Sequence, residues 1–134
     1  MITSKVTYLG DLRTSSAHIQ SGSVILSDAP VDNNGKGEAF SPTDTVANAL
    51  ASCMFTVMGI KARDLGVDFS GATAEVTKVM GTEPRRIVAI QVVFSMPLDP
   101  DEKIKTVLER TVKTCPVFYS LHPDIEKDIV FHWK

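Results

Sequence analysis

The chain has 134 residues, enough for one domain with a hydrophobic core. It is 43% hydrophobic and 22% charged, with a formal net charge of −2. The lack of a basic excess gives no reason to expect a nucleic-acid or acidic-membrane partner. The apolar runs are broken short of a membrane span, and the N-terminus lacks the basic and apolar regions of a signal peptide. The expectation is a single soluble, cytoplasmic domain over residues 1–134.

Short strands come first: KVTYLG, LRTSSAHIQ and SVILSD, the last with Val24 and Leu26 alternating with polar neighbours. The Asp-, Asn- and Gly-rich stretch DAPVDNNGKGEAF reads as a long loop leading into a helix. The helix start is well marked. Ser41 can cap, Pro42 suits the first helical position, and Asp44 stands where a capping box places its acid. The helix runs to about Asp64, with Gly66 as its stop.

Apolar residues occupy most of that helix, leaving Thr45, Asn48, Ser52 and Thr56 as a thin polar stripe. A helix so apolar around its circumference is expected to be buried. One small domain with one sheet can hardly enclose it, so a second subunit exchanging strands is expected. ATAEVTKVM and RRIVAIQVVFSM then form two strands joined by GTEP, the second central in a sheet covered on both sides. A second helix follows LDPDE, with Ile104, Val107, Leu108 and Val112 on one face. TCPVFYSL breaks it at Pro116 and starts a short helix, and DIVFHWK closes the chain as a strand. The fold class is α+β.

Cys53 lies in the middle of the long helix and Cys115 lies 62 positions later, neither of them in a CxxC pair. The histidines His18, His122 and His132 have no metal-ligand spacing, so no metal site is expected. Free cysteine commonly packs as a small hydrophobe, and Cys115 could simply extend the stripe Leu108, Val112. Cys115 also stands at a helix N-terminus, where the dipole can lower a thiol pKa. A reactive thiol in apolar surroundings needs a cation, because desolvation suppresses the thiolate. Arg13, held on a strand, is the candidate, with Asp44 able to orient it through a bidentate pair. Solvated arginine and helix capping are the plainer readings of these two residues. Arg63, Arg85, Arg86 and Arg110 compete for the cationic role.

FSPTDTVANALASCMFTVMGIKA resembles the central helix of the OsmC/Ohr family, named for osmotically inducible protein C and organic hydroperoxide resistance. DAPVDNNGKGEAF and TCPVFYSLHPDIE fit the same pattern, so the resemblance covers essentially the whole chain. It implies antiparallel sheets enclosing a long buried central helix, in an intertwined homodimer with active sites at the subunit interface. It implies thiol-dependent reduction of organic hydroperoxides, with Cys53 as the peroxidatic cysteine and Cys115 as the resolving one. Arg13 matches the arginine that supports the thiolate. No cofactor is implied beyond an external dithiol reductant, such as a dihydrolipoyl group. Phe40, Met54, Phe55, Met58 and Phe118 could line an apolar substrate pocket, or be ordinary core.

There is one departure. The family's peroxidases carry a glutamate ten residues before the cysteine, where this chain has Thr43. Asp44 is displaced from that position by about 100° of helix rotation and has a shorter side chain. Either Asp44 substitutes from a shifted geometry, or the arginine–carboxylate gate is missing. The second option keeps open a non-catalytic dimeric protein binding an apolar small molecule. A redox sensor on the same fold is a further alternative.

Overall fold

The computed structural model describes all residues from Met1 to Lys134. Two compact units make up the chain, Met1–Thr45 and Val46–Lys134. The first unit holds a three-stranded antiparallel sheet of β1 (Ser4–Gly10), β2 (Arg13–His18) and β3 (Val24–Asp28), in that order. Tight turns join the strands, and the first places Asp11 and Leu12 in the left-handed region (φ 53° and 63°). Such φ values are uncommon for residues other than glycine.

Few side chains are buried in this unit. Val6, Ser16 and Ile25 stand in one cross-strand row, and both apolar members are well exposed. The buried residues here are polar: Asp28 and Ser41.

The long helix α1 spans Pro42–Asp64, the bounds expected from its end signals. Ser41 Oγ accepts from the Asp44 N–H at 3.0 Å, and the Asp44 carboxylate accepts from the Ser41 N–H at 3.0 Å. This reciprocal capping box satisfies two donors that the helix start would otherwise leave bare. At the far end Gly66 adopts φ 69°, a left-handed stop that favours glycine.

The second unit continues with β4 (Thr73–Gly81), β5 (Arg86–Ser95), α2 (Glu102–Thr111), α3 (Pro116–Ser120) and β6 (Glu126–His132). Its sheet has the order β4-β5-β6, so β5 is central as expected. β4 pairs antiparallel with β5, but β6 runs parallel to it. That corrects the expectation of purely antiparallel sheets. The connection through α2 and α3 is long enough for the crossover that parallel strands require.

The core belongs to this unit. Leu50, Met54 and Met58 of α1 pack with Ile90, Val92 and Phe94 of β5, Leu108 of α2 and Val112. Phe94 lies at the centre, edge-on to Phe55 with ring centroids 5.0 Å apart and stacked on Phe131 at 4.7 Å. The opposite face of β5, with Ile87, Ala89 and Val93, is only half-buried within the chain.

Enclosure of α1 is likewise partial. Val46, Thr56 and Ile60 remain exposed, and 33% of its most apolar stretch is buried. By length and composition this helix could cross a bilayer, a test that core helices of water-soluble proteins also pass.

Candidate functional site

Cys53 sits on α1, half-buried and packed against the core, and Cys115 is completely buried. The chain places Cys115 by a change of backbone. A 3-10 turn over Val112–Thr114 ends α2, and Cys115 is extended at φ −72°, ψ 142°, followed by Pro116 in the first turn of α3. Proline disfavours helical geometry in the residue before it and suits the start of the next helix. The Cys115 Sγ then caps α3, accepting from the Phe118 N–H at 3.2 Å.

Cys53 packs against the same core that buries Cys115 and is near enough to act on its thiol, and both cysteines are free. Burial pushes the Cys115 pKa up; the Phe118 N–H opposes this, and Cys53 adds to the rise. The expected lowering by a helix dipole is therefore overturned. A five-residue helix offers few aligned peptide dipoles, whereas full burial removes the water that would solvate a thiolate. Cys115 is held as a neutral thiol, and Cys53 is the more open of the two sulfurs.

Arg13 belongs to the first unit and lies directly opposite Asp28 in the β2–β3 pairing. Its Nε donates to Asp28 Oδ1 at 2.7 Å and its Nη2 to Oδ2 at 2.8 Å, a bidentate fork. The Glu38 N–H adds a third bond to Oδ2 at 3.1 Å. These donors, Arg13 foremost, hold the Asp28 carboxyl below its ordinary pKa although burial acts against them. The same pairing raises the Arg13 pKa further.

Asp28 is thus the bidentate partner of Arg13, while the Asp44 carboxylate closes the capping box. In the sequence alone Asp28 stands as no more than the last residue of the strand SVILSD and the first of the loop after it. The register of the β2–β3 hairpin, which puts it across from Arg13, is what could have singled it out. Among the competing arginines, Arg86 donates to the Thr82 and Pro84 carbonyls at 2.8 and 2.9 Å.

A groove of about 630 Å³ opens along the second half of α1, lined by Phe55, Gly59, Ile60, Arg63, Val67 and Phe69 among others. Of the five residues expected to form a pocket, Phe55 alone lines it. Met54 and Met58 are fully buried in the core. Phe118 is half-buried with the Lys127 ammonium 5.3 Å from its ring centroid, and Phe40 is exposed in the first unit. No cluster of three or more His, Cys, Asp or Glu residues is arranged to hold a metal ion.

Comparison with known proteins bears on the same region. The family described as OsmC-like protein matches residues 35–129, a span that includes both cysteines. A crystal structure from Psychrobacter arcticus, of a protein named for osmotic stress induction and detoxification response, is 55% identical with a TM-score of 0.96. The match covers 98% of this chain and 96% of that one. An organic hydroperoxide resistance protein OsmC from Legionella pneumophila has a TM-score of 0.75 at 11% identity, over 98% of this chain and 97% of its own. A Vibrio cholerae organic hydroperoxide resistance protein, with captopril in one active site, has a TM-score of 0.74 at 16% identity, over 98% and 92%. No curated protein matches the sequence.

Proposed function

This chain belongs to the family of OsmC-like proteins, and on that premise we propose that it reduces organic hydroperoxides with its two cysteines. The observation that carries the reading is that Cys53 packs against the core that holds the buried Cys115 and acts on its thiol. Two cysteines far apart in sequence can share one chemistry when a fold gathers them into the same region. The Legionella and Vibrio relatives are named for organic hydroperoxide resistance, which supports a peroxide-related role.

In the proposed cycle the Cys53 thiolate attacks one peroxide oxygen and the O–O bond breaks. The alkoxide leaves, takes a proton and departs as the alcohol, while Cys53 becomes a sulfenic acid. The Cys115 sulfur then attacks the Cys53 sulfur. Hydroxide leaves from the sulfenic acid and, with the Cys115 proton, forms water. An external dithiol, such as a dihydrolipoyl group, reduces the resulting disulfide by exchange.

The order of the two cysteines follows from their surroundings. A buried neutral thiol is a poor first nucleophile, and the half-buried Cys53 is the sulfur a peroxide meets first. Arg13 supplies the permanent cation of the scheme. Of the apolar residues expected around the substrate, Phe55, which lines the groove along α1, is the one the scheme keeps.

A homodimer belongs to the same reading, as does a cytoplasmic location. Exposed Val6 and Ile25 on the first sheet, and the exposed Val46 and Ile60 on α1, are apolar surfaces that a second copy would cover. Thr43 in place of the glutamate favours the alternative of a non-catalytic binding protein for an apolar small molecule. A peroxidase assay with cumene hydroperoxide and dihydrolipoamide separates the two. Cys53→Ser is expected to abolish peroxide consumption and Cys115→Ser to stop turnover after one event. Normal turnover by Cys53→Ser contradicts the peroxidase reading.

A further inference from the structure

Position 43, where the resemblance implies a carboxylate, holds Thr43, and Arg13 finds its bidentate partner in Asp28 instead. We infer that Asp28 is the positioning residue for Arg13, a strand-borne carboxylate doing the work absent at Thr43. This role rests on the reading above that Arg13 is the cation serving the Cys53 thiolate.

An ionised carboxylate that is 1% exposed is costly unless donors surround it. Asp28 receives three, and each fixes something different. Bonds from Nε and Nη2 lock both the plane and the rotation of the guanidinium, leaving the Nη1 end outside the pair. The Glu38 N–H also bonds Oδ2.

The loop between Asp28 and Glu38 is folded to deliver that third donor. Gly35 and Gly37 donate their N–H groups to the Pro30 and Ala29 carbonyls at 2.9 and 3.2 Å. A Cβ at Gly35 would overlap the Ala29 carbonyl, so only glycine allows the loop this closely onto itself. The Asp28 backbone N–H is taken by the Phe40 carbonyl at 3.1 Å. Carboxylate and arginine are therefore set by adjacent strands of one sheet, whereas a carboxylate at position 43 would be set by α1.

The other charges near the pair are Asp11, Lys36 and Glu38. Glu38 Oε2 is 3.8 Å from Arg13 Nη2 and its side chain is 65% exposed, so water screens it. Asp28 is the partner that controls direction.

The test uses iodoacetamide alkylation of Cys53 against pH, in a Cys115→Ser background so that one thiol reports. Asp28→Asn keeps the size and an acceptor oxygen while removing the charge. If Asp28 positions Arg13, the alkylation midpoint rises by about one pH unit or more, and the neutral-pH rate falls about tenfold. Arg13→Met is expected to do the same, with the double variant no worse than either.

A midpoint that falls shows that Asp28 merely offsets the arginine charge, and a midpoint that stays put shows that it does neither. Both overturn the inference, while leaving Arg13 its role if Arg13→Met still raises the midpoint. No effect of Arg13→Met overturns the role of Arg13 and that of Asp28 with it. Should Asp28→Asn fail to fold, Arg13→Lys keeps the charge and loses the fork. A wild-type midpoint in that variant contradicts positioning, and a raised one supports it.

Discussion

The two units of this protein bury opposite kinds of residue. Val46–Lys134 encloses an apolar core around Phe94, Leu50 and Met58, and even its buried cysteine sits there as a neutral thiol. Met1–Thr45 buries Asp28 and Ser41 and leaves Val6, Tyr8 and Ile25 to solvent. Within a single chain, therefore, one unit is held by packing. The other is held by strand pairing and by a small network of charged and capping hydrogen bonds. A sheet with exposed apolar rows and a polar anchor is suited to lie against something else, and dimerisation supplies that surface in the proposed reading.

The contrast is sharpest for single substitutions. Phe94→Ala removes a fully buried ring touching two others, and is expected to cost about 3–5 kcal/mol in denaturant unfolding. Val6→Ala, at an exposed site, should stay within about 0.5 kcal/mol for the isolated chain. Comparable losses at the two sites would mean that the first sheet is covered as thoroughly as the core.

Charge on the exposed row sharpens the same point. Ile25→Lys is expected to shift sedimentation from dimer toward monomer, with little change in the circular dichroism of each chain. A dimer unaffected by Ile25→Lys and Val6→Lys together would place the subunit contact elsewhere.

The smallest effect concerns acid. Asp28 has a folded-state pKa below its ordinary value, so its contribution is complete above the unfolded pKa and is lost as pH falls through the folded one. Amide exchange in β2 and β3 should accelerate below about pH 4, ahead of β5, and Asp28→Asn should remove that pH dependence. Parallel acceleration in both sheets would break the distinction between the units.

Local signals proved the most legible part of this chain. Ser41, Pro42, Asp44 and Gly66 mark the ends of α1 because a cap acts within one helical turn. The parallel alignment of β6 was not visible, since alternating apolar residues such as Ile129, Phe131 and Trp133 look alike in either strand direction. The Arg13–Asp28 fork was hidden for a related reason: it depends on hairpin register, which the strand pattern alone leaves unset. The rise in the Cys115 pKa was hidden too, because a Cys-Pro step reveals the helix start but not how deeply the fold buries it.

Peptide mapping of the oxidised chain is the most direct check on the chemistry. One equivalent of cumene hydroperoxide should remove both free sulfhydryls and yield a single cross-linked peptide pair joining positions 53 and 115. Recovery of Cys53 as sulfinic acid, with Cys115 still alkylatable after denaturation, would show that the neighbouring sulfurs do not act as a pair.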